Sequence, residues 1–165
     1  MSSENILQLI TMAAKAKKQY ASIQKKYKLP SFEELDSEFE IGSIESEGFM
    51  LREIRKKFGE KIGDVCGFVG AVLHPESNLA DLYESRVFGE DEKAELFELY
   101  KKLMMADRKV AELTIQNEEK LDAEFIRDFS GEWEKMKPKL VKFIRKLRES
   151  WEKDTDQGEA AGYMG

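Results

Sequence analysis

The chain has 165 residues, of which 41% are hydrophobic and 36% charged, and its formal net charge is −6. This is too hydrophobic for a disordered chain and long enough for a core that needs no metal or disulfide, and the single cysteine, Cys66, excludes an internal disulfide and fits a reducing, cytoplasmic setting. No apolar run approaches the ~18 residues of a membrane span, and no basic segment precedes the apolar residues of MSSENILQLI, so neither a span nor a signal peptide is expected.

The first predicted helix covers 4 to 28. Ile6, Leu9, Ala13, Ala16, Tyr20, Ile23 and Tyr27 alternate at three- and four-residue steps, the spacing of a coiled-coil-like seam. Leu29-Pro30 ends it, because the residue before proline is pushed away from helical angles. Ser31 and Glu34 then read as a capping box that opens a short helix to Phe39, with Phe32, Leu35 and Phe39 on its inner face. Its acids complement the six lysines between 4 and 28, which makes the first helix their nearest partner.

Residues 42 to 46 form a loop, and a helix from 47 to 73 follows. Leu51, Ile54, Phe58, Ile62, Val65, Val69 and Val72 mark its buried stripe. Gly59, Gly63, Gly67 and Gly70 fall on another face. Since each glycine costs a helix about 1 kcal/mol relative to alanine, the row predicts close approach by a second helix. After His74-Pro75, Asn78 and Asp81 cap a short helix to Val87.

The stretch from 91 to 129 holds neither proline nor glycine and reads as one helix of roughly 50 Å. Leu96, Leu103, Val110 and Asn117 recur every seven residues, with Leu99, Ala106 and Leu113 between them. At that register Asn117 is a buried polar residue that fixes pairing. Ser130-Gly131 forms a boundary, and a last helix over 132 to 152 carries Trp133, Met136, Leu140, Phe143, Ile144, Leu147 and Trp151 on one face, with a kink or fresh start at Pro138. Periodicity ends at Asp154, so 154 to 165 reads as a flexible tail on a single domain over 1 to 153. No stretch alternates as a strand does. The fold expected is therefore all-α: a bundle of four principal helices and two short connecting ones, the helix over 91 to 129 being unusually long.

With one histidine, the chain lacks the ligands of histidine-rich zinc sites and of ferritin-like di-iron sites. Carboxylates alone can hold Mg²⁺, and Glu118 and Asp122, one turn apart, are the candidates for a magnesium-dependent hydrolase. Lys17, Lys18, Lys25, Lys26, Arg55 and Lys56 are the candidates for phosphate contacts, on basic faces of the first helix and the helix over 47 to 73, with the C-terminal helix adding a third. Neither the Rossmann nor the P-loop fingerprint is present, and no cofactor is implied. The reading favoured over both is a non-enzymatic protein that works through protein contacts, as a homo-oligomer or a partner subunit. Its interface candidates are Trp133, Phe143 and Trp151, large aromatics of the kind that interface cores favour, together with Asn117.

Overall fold

The computed structural model describes residues 2–45 and 48–161, with side chains described as far as residue 153. It is an all-α bundle of six helices: α1 (Ser3–Tyr27), α2 (Phe32–Phe39), α3 (Met50–Leu73), α4 (Leu79–Arg86), α5 (Glu90–Gln116) and α6 (Glu119–Ala161), with a 3₁₀ turn at Ile41–Ser43. Four helices are long, two are short, and α6 is the longest. Among the described residues no helix is long and apolar enough to cross a membrane.

The local signals act as their chemistry dictates. Ser31 accepts from the Glu34 amide while the Glu34 carboxylate accepts from the Ser31 amide, a complete capping box. Asn78 Oδ1 accepts from the Asp81 amide at 2.9 Å and opens α4. Lys28 turns left-handed (φ 55°) to end α1, and the following amide of Leu29 reaches back to the Gln24 carbonyl.

Two compact units emerge, one of residues Met1–Val65 with Lys102–Glu132, the other of Cys66–Lys101 with Trp133–Gly165. In the first, the α3 stripe is buried at Leu51, Ile54, Phe58 and Ile62. Phe39 stacks on Phe58 with centroids 3.7 Å apart, and Phe125 and Phe129 of α6 meet the same ring edge-on. Tyr20 completes the core, its buried hydroxyl donating to the Pro30 carbonyl at 2.6 Å; burial pushes that hydroxyl's pKa up. As the opposite charges suggested, Lys17 of α1 pairs with Glu33 of α2. In the second unit, Val69 and Val72 are buried, as are Leu96, Leu99, Met136, Leu140 and Leu147, and Phe88 packs edge-on against Phe143. Lys146 binds both oxygens of Glu92 at 2.6 Å.

The long helix is not where periodicity put it. The chain breaks at Asn117, which is exposed and left-handed (φ 56°), between α5 and α6. Asparagine populates that conformation more readily than most non-glycine residues. Its seven-residue phase with Leu96, Leu103 and Val110 therefore marks the end of a seam and not a buried register residue. The length reappears downstream: α6 runs unbroken past Ser130-Gly131 and Pro138 to Ala161, so neither boundary nor fresh start exists there. The backbone is helical through 154–161, where the sequence alone reads as tail, and the last four residues lie outside the described ones. Ser46 and Glu47, which the periodicity assigned to the loop and to the start of the third helix, are likewise outside; α3 begins at Met50.

The glycine row also divides. A Cβ at Gly59 would meet Val110 Cγ1 at 3.0 Å and one at Gly70 would meet Tyr100 at 3.5 Å, whereas Gly63 and Gly67 face open space. Close approach explains Gly59 only, since the distance at Gly70 is ordinary van der Waals contact.

Gly63→Ala should therefore raise stability by about 1 kcal/mol, seen as a higher urea midpoint at unchanged slope. Asn117→Leu should lower stability by about 1 kcal/mol through left-handed strain, while Asn117→Gly leaves it intact; a more stable Asn117→Leu protein would restore the buried register role.

Candidate functional site

The richest polar constellation lies in the first unit, where α3 faces the turn between α5 and α6. Arg55 follows Leu51 by four residues and precedes Phe58 by three, so helical phase places it inside the apolar stripe, and it is 2% exposed. A buried guanidinium needs an anion and further acceptors. Arg55 Nη1 donates to Asp122 Oδ1 at 2.5 Å and to the Leu113 carbonyl at 3.0 Å. Asp122 is 3% exposed. Burial pushes its carboxyl upward, and the bonded Arg55 pulls the other way without fully offsetting it. Arg55 Nε is buried without a hydrogen-bond partner, so even this pair leaves one donor unsatisfied.

Beside this pair opens a cavity of about 410 Å³. Gln19 and Ile23 of α1 form one wall, Phe49 and Arg52 the entrance of α3, and Asn117 with Glu119 the start of α6. Glu119 accepts from Tyr27 Oη at 2.7 Å and from Lys26 Nζ at 3.3 Å, and these donors hold its carboxyl below the usual range. Arg52 lies over the Phe49 ring, 4.6 Å from its centroid. Among the described residues it has no carboxylate within ion-pair distance.

These placements redistribute the residues singled out by spacing. Arg55 and Asp122, assigned to phosphate binding and to a metal respectively, are each other's partners. Glu118 is exposed, and the Asp122 carboxylate already serves Arg55. Among the described residues no group of three or more His, Cys, Asp and Glu side chains is arranged to hold a metal. Of the basic candidates, Lys17 pairs with Glu33, Lys26 with Glu119 and Lys56 with Glu53, while Lys18 and Lys25 are exposed. Trp133 and Phe143 are buried within the second unit. Trp151, 39% exposed, lies 4.2 Å from Tyr83 between ring centroids and donates to Glu84 at 2.9 Å. Cys66 is a buried thiol.

Sequence reasoning placed Arg52 only in a basic run and missed Phe49 and Gln19, because the segment 49–52 and Gln19 are distant in the chain and no local spacing joins them. Arg55 was legible as a charge in an apolar stripe, but the basic run Arg52-Arg55-Lys56-Lys57 masked it.

A bare apolar surface lies elsewhere in the same unit. Ala16 and Tyr20 of the α1 seam are buried, yet its continuation toward the N-terminus is uncovered: Ile6, Leu7, Leu9 and Ile10 are 45%, 68%, 49% and 60% exposed. No family model, curated protein or solved structure matches the chain.

Removing one member of the buried pair should cost about 3–5 kcal/mol, because the other is left charged and unpaired. Arg55→Met and Asp122→Asn should each show this loss by urea unfolding. Arg55→Met combined with Asp122→Asn should be far less destabilised than the sum. Additive losses would show that the two side chains do not act as a pair.

Proposed function

We propose that the chain works through protein contacts and self-associates through the N-terminal half of α1. The observation that supports this is the cluster Ile6, Leu7, Leu9 and Ile10, exposed on successive turns of one helix. Single exposed apolar residues such as Leu79 or Met105 are ordinary, but a contiguous group on a regular helix is the usual mark of a docking surface. The same three-four spacing that packs Ala16 and Tyr20 inside the chain continues through Leu9 and Ile6, so a second helix can be received in coiled-coil fashion.

A second copy fits this surface electrostatically. From Ser3 to Ala14 the only charged side chain is Glu4, whereas the six lysines begin at Lys15. An antiparallel pair limited to the first turns keeps the two lysine-rich halves apart, and a parallel pair sets them side by side. About three turns per partner cover less than the ~800 Å² of a standard interface, so the association is weak and concentration-dependent. The aromatic stripe of α6 contributes less to such a surface than its composition suggested, since Trp133 and Phe143 are spent inside the chain. The buried state of Cys66 agrees with a cytoplasmic, reducing setting, where a thiol has no structural bridge to make.

Light scattering should show the mean mass rising above 19.1 kDa with concentration. Leu7→Lys with Ile10→Lys should hold it at the monomer value while circular dichroism stays helical. A monomer mass that persists to millimolar protein overturns self-association.

A further inference from the structure

We propose that the cavity beside Arg52 binds a small organic carboxylate with an apolar or aromatic body. The first support is a charge ledger. Three ionisable side chains line this space: Arg52, Glu119 and Asp122. Glu119 is engaged by Lys26 and Tyr27, and Asp122 by Arg55. Arg52 has no carboxylate within ion-pair distance among the described residues and acts on Asp122 only through space, so it is the lining charge left to meet an anion. A guanidinium presents paired N–H donors that match a carboxylate, which makes an anion of that geometry the complementary ligand.

The second support is the pattern of unspent hydrogen-bonding groups. The side-chain amides of Gln19 and Asn117 line the cavity, and neither makes a hydrogen bond among the described residues. Two long helices also begin here, α3 at Met50 and α6 at Glu119, and their positive dipole ends reinforce the preference for negative charge. These helix ends add to the field of Arg52 and carry nothing by themselves.

The third support is shape. A space of about 410 Å³ lies in the range of small-molecule sites and is far larger than an inorganic anion needs. Ile23 and Met50 supply apolar wall, and Phe49, exposed beside Arg52, offers a ring face to a planar body. The ligand class is therefore amphiphilic: a carboxylate for Arg52, with carbon against Ile23, Met50 and Phe49. The site is independent of the α1 surface proposed above, because Gln19 and Ile23 lie on the packed C-terminal half of that helix.

Amide NMR titration of the full chain with benzoate and hexanoate tests this, with benzamide and hexanol as neutral counterparts and inorganic phosphate as the bare anion. Saturable shifts at Gly48, Phe49 and Asn117 are expected for the two carboxylates. The neutral counterparts should bind about tenfold more weakly or worse, as expected for loss of one charge-assisted contact, and phosphate should not saturate. Arg52→Gln should abolish the preference for the acid while keeping the melting temperature, since Arg52 makes no ion pair among the described residues; Arg52→Lys should keep part of it. Equal binding of acids and neutral counterparts, saturable phosphate binding, an unchanged acid preference in Arg52→Gln, or no saturable shift with either carboxylate would each overturn the proposal.

Discussion

A buried guanidinium is the constraint around which the first unit is built. Arg55 lies inside an apolar stripe where an unpaired charge would be intolerable, so it requires an anion and a carbonyl within reach. Asp122 and the Leu113 carbonyl meet that requirement from opposite sides of the break at Asn117. Leu113 belongs to the last turn of α5, where its carbonyl accepts from the Asn117 amide as well as from Arg55, and Asp122 belongs to the first turn of α6. One side chain of α3 thus ties the end of one helix to the start of the next and holds the turn where it is. Such a pair contributes specificity more than net stability, because both charges lose their water and Arg55 Nε remains unsatisfied.

In each unit, opposite charges are also consumed locally. Lys17 with Glu33, Lys26 with Glu119, Lys139 with Glu95 and Lys146 with Glu92 join different helices within each unit. Their members are mostly exposed, and solvent screening leaves each pair little stabilising effect. Their consequence is different: they reduce the basic surface available to phosphate and, among the described residues, leave Arg52 without an ion pair beside a cavity. Two uncovered features of the first unit are separate. One is an apolar helix end nearly without charge, and the other is a cavity lined by Arg52 at the opposite half of the same helix.

The elements most legible in the sequence were those governed by short range. The α3 stripe of Leu51, Ile54, Phe58, Ile62, Val69 and Val72 is buried as its spacing required, and the caps at Ser31 and Asn78 form through neighbours three residues away. Asn117 shows where such reasoning slips. Heptad phase and left-handed capping are both properties of asparagine at that position. Only the tie from Arg55 to the residues on either side selects the cap.

The all-α class, the faces of the helices and their local caps were readable from residue order alone, because periodicity and capping depend on residues within a turn or two of each other. Tertiary structure decided which charges are buried, where the long helix lies, and which apolar residues remain bare. Arg55 and Arg52 are alike in composition and three residues apart, yet one is enclosed with Asp122 and the other lines a cavity. Ile6 and Tyr20 share one helical seam, yet only Tyr20 is covered. In both comparisons the deciding quantity is the position of another segment distant in the chain, and no local spacing encodes it.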